Sequence, residues 1–537
     1  MRDGKQRIEL GLLFIAFYFL LCLLHYPLLR LPYYWDEAGY YIPAAREFFR
    51  FWRLIPINTL LTGHTPLVNI YLALIWRAFG ESPLVTRVAM TAVASSTLAV
   101  VYALGRRVAD REIACWSVLL LALSPLFFAQ STLAHLDLAA GLFTLLALWA
   151  LLENRPGWFA LASTLAVLSK ETAVVLLPAA WIFAGWERKR AGHYLSPVWW
   201  AASLAPLVTL IAWVGYYHHA TGFVTGNGYY IRYNVYATLS PLRVCFTLLR
   251  RLYETFVGGF NWLLTGGAVA GLIWGRRKER ERCTGAGLAG ETAAGGPVIE
   301  ASNASAGIQP TAGGPRRFIF LCGSLIAAYL AMLSVVGGAI LPRYLLPIFP
   351  PLVLIAMMLM WRLPRPLARS LSIITAGCFV WAWFLNPPYP FPFEDNLAYA
   401  DFIHLHERAA QLLEARAGKQ RILTAWPASD ELVHPFLGYV RQPLEVVAVQ
   451  NFRPSDFDTV SAQSFDCLYL FSRYWEPSNN WLRRFPWFGR LQERYFEYRP
   501  QIPENELAAR YHLRLLASFE RRGQWARIYV KISPSMR

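Results

Sequence analysis

Apolar stretches of membrane-spanning length recur from residue 8 to residue 386 of this 537-residue chain. A helical crossing takes about 20 apolar residues, slightly fewer when it is kinked. Eleven segments are candidates: 8–29, 83–104, 113–129, 135–152, 158–168, 172–186, 195–217, 257–274, 317–337, 344–361 and 370–386. The segments 158–168 and 172–186 are short and read as two arms of one hairpin. Lipid offers the backbone no hydrogen-bond partner, so each crossing has to be a helix. The expected fold is therefore a polytopic all-α membrane protein of about 11 transmembrane helices, lying in the bilayer. The first segment follows MRDGKQR but is too long for a signal peptide and lacks a small-residue cleavage site, so it reads as a retained span.

Charge then orients the chain. The formal charge is +17 and only 16% of residues are charged, against 56% hydrophobic. Arg and Lys cluster between alternate apolar segments, as in RRVADRE, ERKR and RRKERER. That is the pattern of cytoplasmic loops, and it explains the basicity without a nucleic-acid partner. It predicts a cytoplasmic N-terminus and places residues 387–537 outside. That last part lacks long apolar runs and reads as a soluble, α/β-like C-terminal domain after a transmembrane domain, 1–386. Residues 276–316, rich in Gly, Ala, Ser and Thr towards their end, read as a flexible cytoplasmic linker. The seven cysteines show no CxxC spacing, so neither a disulfide framework nor a zinc site is indicated.

The outer loop 30–82 opens with YYWDEAGYY, in which Asp36 and Glu37 are ringed by aromatic side chains. Ionised groups in hydrocarbon are costly, so this pair belongs in headgroups, in water or in a protein cavity. Two further stretches of the loop, PAAREFFRFWRL and HTPLVNIYLALIWRAFG, are amphipathic and suit the membrane interface. The same topology puts His64, His135, Asp137, Lys170, Glu171, Arg343 and Tyr344 on the outer side as well, with Tyr230 and Arg232 in a later outer loop. Carboxylates there can deprotonate a hydroxyl or hold a metal. Cations can stabilise a phosphate leaving group. Each residue also has a plain reading: Asp137 as a partner of a helix N-terminus, Lys170 as a snorkelling side chain, Arg343 as an interfacial anchor, and His64 and His135 as structural hydrogen bonders.

These segments resemble the GT-C class of glycosyltransferases, in particular protein O-mannosyltransferases and the aminoarabinose transferases of lipid A. YYWDEAGYY and HTPLVNIYLALIWRAFG, followed by SPLVTRV, are similar to the family's opening. HLDLAAGLFTLLALWALL is similar to its second Asp-bearing segment, SKETAVVLLP to its Lys-bearing hairpin, and LPRYLLPIFPPLVL to its late Arg-Tyr motif. The resemblance covers roughly 1–390 and departs at Thr65, where Pro is usual. It implies a bacterial inner-membrane enzyme that moves a sugar from a polyprenyl-phosphate donor to a protein, lipid or glycan hydroxyl, with inversion. Asp36 is then the catalytic carboxylate, as base or metal ligand, Glu37 its neighbour and Asp137 the second acid. Lys170, Arg343 and His64 are implied to bind the donor phosphate, and Tyr344, Glu171 and Arg232 to contact substrate. A divalent metal ion on Asp36 and Asp137 is the cofactor to test. Two other classes remain open: a lipid-linked glycan polymerase or ligase, which is expected to carry a large central outer loop, and a transporter or flippase, which is expected to show inverted repeats.

Overall fold

The computed structural model describes residues 2–191, 196–235, 239–289, 314–387, 389–390, 393–416, 420–475, 484–495 and 501–532. The expected spans are helical. Residues 8–29 fall mainly in α1 (Arg2–Leu24), and the following loop carries α2 (Ile42–Phe51) and α3 (Leu67–Phe79). The next span is α4 (Pro83–Val108), started by Ser82, whose side chain accepts from the Val85 amide, and by Pro83 in the first turn. Ser124-Pro125 divides the third span into α5 (Arg111–Leu123) and α6 (Pro125–Gln130). Then come α7 (Leu136–Leu152), α8 (Pro156–Ser169), α9 (Leu176–Ala191), α10 (Pro197–Ser203), α11 (Ala205–Thr221) and the short α12 (Gly228–Asn234). The membrane part closes with α13 (Pro241–Phe256), α14 (Asn261–Ala289), α15 (Gly314–Val335), α16 (Phe349–Met360) and α17 (Arg365–Ala382).

Among the described residues, α4, α10–α11 together and α15 are long and apolar enough to cross a membrane by themselves, and α13 with α14, bent by 42°, makes a fourth such span. One expectation changes in detail. The linker was placed from residue 276, but α14 runs to Ala289, because RRKERER is built of good helix formers. Residues 290–313 of that linker lie outside the described residues.

Ion pairs bind one set of helix ends together: Arg106–Glu9 (2.5 Å), Arg107–Glu153 (2.6 Å), Arg317–Glu187 (3.1 Å) and Arg369–Glu112 (2.7 Å). All these residues lie at ends assigned to the basic side. The candidate site residues lie at the opposite ends of the same helices. Helix α13 is amphipathic the unusual way round. It buries Arg243, Thr247, Arg251 and Thr255 and exposes Leu242, Leu249 and Tyr253. An apolar face turned outward beside a polar face turned inward suits a helix lying against lipid.

The C-terminal part is an α/β domain made of β1 (Tyr389–Pro390), α18 (Ala398–Arg416), β2 (Ile422–Ala425), α19 (Ala428–Val433), β3 (Val446–Val449), β4 (Cys467–Phe471), β5 (Tyr474–Trp475), α20 (Pro486–Tyr495), α21 (Glu504–Tyr511), β6 (Leu513–Arg521) and β7 (Gln524–Lys531). Its five-stranded sheet has the order β3-β2-β4-β7-β6. The β3-β2-β4 half is parallel and the β4-β7-β6 half antiparallel. All five residues of the central β4 are buried, as expected for a strand covered on both faces.

This domain docks directly on the Asp36 loop. The Tyr33 amide donates to the Leu437 carbonyl (3.1 Å), and the Tyr439 hydroxyl donates to the Tyr33 carbonyl (3.1 Å). The Trp426 ring meets the Trp35 ring edge-on at 5.0 Å and lies against Gly39, where a Cβ would come within 2.6 Å of it.

Candidate active site

The site is built on a strained corner. Trp35 has φ +42°, in the left-handed region that non-glycine residues avoid. Directly after it, Glu37–Tyr41 forms one wide π-type turn. The corner separates the two neighbouring carboxylates. Glu37 is fully buried and accepts hydrogen bonds from the amides of Tyr34 (2.9 Å) and Ala134 (2.6 Å). It also pairs with Arg87 at 3.3 Å. Arg87, on α4, donates further to the carbonyls of Leu31 (3.1 Å), Pro32 (2.6 Å) and Thr132 (3.3 Å). Glu37 therefore joins the first outer loop to the turn before α7. Its contacts suit it to orienting the loop.

Asp36 points elsewhere, to Arg343. The three prolines of LPIFPP delay α16 until Phe349, and a short 3₁₀ turn, Pro342–Leu345, presents Arg343 and Tyr344 ahead of it. Arg343 is fully buried. Its Nη2 donates to Asp36, and its Nη1 to Glu394 Oε2 (2.5 Å). Nη1 also lies 3.0 Å from His135 Nε2, and Nε lies 3.6 Å from Asp137 Oδ2. Asp137 in turn receives Lys170 Nζ at 2.5 Å, and that ammonium sits 3.7 Å from the centre of the Tyr344 ring. Asp36 keeps 16% of its side chain exposed, whereas those of Arg343 and Asp137 are fully covered. A buried charge survives only when it is paired, and here two cations are shared among three carboxylates.

Residues expected at the site thus divide. Asp36, Asp137, Lys170, Arg343 and Tyr344 form one cluster. His64 and Glu171 form a second pair beside it, with His64 Nδ1 at 3.1 Å from the Glu171 carboxylate and Nε2 at 3.5 Å from the Tyr230 hydroxyl. Tyr41 links the two groups, its ring centre 6.0 Å from that of His64 and 5.7 Å from that of His135. Thr65, the departure from the resembled motif, donates from its hydroxyl to the Val167 carbonyl on α8 (2.8 Å). Arg232 is exposed on α12 and, among the described contacts, is not joined to either group.

Sequence reasoning overlooked Glu394. It lies between the last membrane helix and the C-terminal domain, held in place when Gln130 donates to its carbonyl (3.1 Å) and the Phe393 amide donates to the Tyr34 hydroxyl (3.3 Å). Its carboxyl is pushed up to about 7, by burial first, with Arg343 opposing and the charges of Asp36 and Glu37 adding to the rise. Only the acidic pair in PFEDN signalled it in the sequence.

Asp36 and Asp137 both face the Arg343 guanidinium. Among the described residues no three His, Cys, Asp or Glu side chains are grouped as metal ligands.

Two concavities lie among the described residues, and the second is lined by Tyr41 and His64. An apolar groove of about 200 Å³ lies between α14 and α16, lined by Phe256, Leu264, Ala268, Phe349, Leu352 and Ile355 among others. A smaller one, with a volume of about 20 Å³, is lined by Tyr40, Tyr41, Pro56, His64, Asn69 and Trp213 among others.

Residues 63–217 match the family described as dolichyl-phosphate-mannose-protein mannosyltransferase. The matched part contains His64, His135, Asp137, Lys170 and Glu171. No curated protein sequence matches the chain. Among solved structures, ArnT from Cupriavidus metallidurans in the apo state is similar with a TM-score of 0.53 at 14% identity, covering 98% of this chain and 98% of that one. The same enzyme bound to undecaprenyl phosphate gives a TM-score of 0.54 at 14% identity, covering 96% of this chain and 97% of that one. At such identity the likeness is one of fold. The chain is an integral membrane protein of the GT-C glycosyltransferase fold, similar to ArnT along its length and to the protein mannosyltransferase family over residues 63–217.

Proposed function

We propose that this protein transfers a sugar from a polyprenyl-phosphate donor to an acceptor hydroxyl at the non-cytoplasmic face of a bacterial inner membrane. The observation that carries the reading is the shared guanidinium. Arg343 and Lys170 provide two buried cations beside Asp36, the one carboxylate of the cluster with access to solvent. A phosphate leaving group needs stabilised negative charge as the sugar departs. Arg343, with its planar fork, and Lys170, as a point charge, supply it. Asp36 is placed to accept the acceptor's proton, and attack from the face opposite the phosphate inverts the anomeric carbon. Asp137 orients Lys170, Tyr344 covers that ammonium, and Glu37 fixes the loop. His64, held by Glu171 and beside the Tyr230 hydroxyl, borders a small concavity with Tyr41 and would help shape the donor pocket. Arg232, more remote and exposed, would meet acceptor rather than donor.

The apolar groove between α14 and α16 suits an isoprenoid tail, since its wall ends at Phe349, six residues beyond Arg343. The undecaprenyl phosphate named for the similar ArnT structure supports a lipid-linked donor here too. The C-terminal domain, packed on the Asp36 loop, is then on the outer face. The test is a transfer assay on purified protein in lipid, using a panel of radiolabelled polyprenyl-phosphate sugars, membrane extract as acceptor, and EDTA in a parallel arm. Transfer from one donor, retained in EDTA, supports the reading. Intact carriers with no transfer from any donor would contradict it.

A further inference from the structure

Arg343 is oversubscribed. Three carboxylates, those of Asp36, Asp137 and Glu394, surround it, and Lys170 is the second cation that balances them. With all of these groups ionised the cluster already carries a net negative charge, and a bound phosphate adds another. Some of the hydrogen-bonding capacity is nonetheless unused. Arg343 Nε, Asp137 Oδ2 and Glu394 Oε1 are all buried without a hydrogen-bond partner. Arg343 Nε and Asp137 Oδ2 face each other at 3.6 Å, which leaves Glu394 Oε1, 3.7 Å from His135 Nε2, as the buried oxygen that calls for an explanation.

We propose that Glu394 is a positioning residue of the carrier-phosphate site, holding Arg343 while the site is empty and yielding that guanidinium to the phosphate as it takes up a proton. The proposal rests on the reading of Arg343 as a phosphate ligand and adds to it the group that must let go. The proton comes from the aqueous side and goes to Glu394 Oε1, the oxygen without a partner. A neutral carboxyl there can donate a hydrogen bond instead of competing for one. The backbone supports the role. The Gln130 and Phe393 bonds fix the start of the segment, and Asn396 Nδ2 donates to the carbonyls of Ala382 (3.2 Å) and Leu385 (3.0 Å), so the carboxyl is delivered by a braced segment. The charged and titratable groups facing it are Arg343, His135 (3.7 Å from Oε1), Asp36 and Glu37, with Asp395 next in the chain. In this way the C-terminal domain contributes to the donor site through the segment that leads into it.

The experiment measures binding of a polyprenyl phosphate methyl ester, whose phosphate carries one charge throughout, to the full-length protein in lipid nanodiscs at pH 6 and pH 8. Wild type should bind on the order of tenfold more tightly at pH 6, the effect of one unit charge near the phosphate. Glu394→Gln should bind at pH 8 as wild type does at pH 6, with the pH dependence gone. Glu394→Gln binding no more tightly than wild type at pH 8 would overturn the proposal. So would a pH dependence that persists in the variant. Should Glu394→Gln fail to fold, proton uptake by wild type on binding the ester at pH 8 decides: close to one proton is expected, and none overturns the idea. Arg343→Gln separates this proposal from the underlying reading. Unchanged affinity in Arg343→Gln contradicts the phosphate assignment itself. Weakened affinity there, with no gain in Glu394→Gln, contradicts only the role of Glu394.

Discussion

The carboxylate of Asp36 is held by the guanidinium of Arg343, 307 positions further along the chain. One comes from the loop after α1 and the other from the turn before α16, so the pair ties these two distant parts of the chain together. It also means that the Asp36 carboxylate is oriented by Arg343 before any substrate arrives. Replacing Arg343 by Lys keeps the charge but loses the fork that reaches Asp36 and Glu394 together. Arg343→Lys should lower kcat about 100-fold or more while the protein still folds, as judged by its melting profile in detergent.

The Glu37–Arg87 pair should behave differently, because its partners are backbone groups of the two loops. Breaking a buried pair from one side leaves an unpaired charge and costs about 3–5 kcal/mol. Glu37→Gln and Arg87→Met should therefore each lower Tm by several degrees and lose activity in proportion to folded protein. A normal Tm with abolished transfer in Glu37→Gln would assign Glu37 to chemistry instead.

Gly39 is pressed against the indole of Trp426, and a methyl group there has no room. Gly39→Ala should cost about 1–3 kcal/mol, loosen the C-terminal domain from the Asp36 loop and raise protease sensitivity around residues 387–397. Shortening the opposing side chain in Gly39→Ala/Trp426→Leu should recover part of the loss.

Glu394 also predicts a pH dependence of stability. Its folded pKa, about 7, lies above the ordinary carboxylate value, so the folded state binds the proton more tightly. The stability it contributes is complete below the ordinary carboxylate range and is lost as pH rises through about 7. Wild type should therefore lose more Tm than Glu394→Gln between pH 5 and pH 8. Parallel curves for the two proteins would refute the shift.

Much of this arrangement was legible in the chain itself. Hydrophobic length and Arg/Lys clustering located the helices and their alternate ends, because a bilayer imposes both rules on any crossing segment. Lys170 and Asp137 could be placed on one side for the same reason. The division of labour between Asp36 and Glu37 was not legible, since adjacent acids look alike until the left-handed Trp35 turns them apart. Glu394 was hidden for another reason. It reaches Arg343 only after the C-terminal domain has docked, and no periodicity in PFEDN reports that long-range contact. The extension of α14 to Ala289 was missed because its charged turns resemble a loop in composition while favouring helix in propensity.

The most direct test of the central claim is Asp36→Asn, assayed with the donor identified from the panel. Transfer should fall at least about 1000-fold, as expected when a positioned base is lost along with its charge. Membrane insertion and Tm should stay close to wild type, and the polyprenyl phosphate ester should bind no more weakly than to wild type. An Asp36→Asn protein that is well folded and still transfers sugar at a rate near wild type would contradict the account.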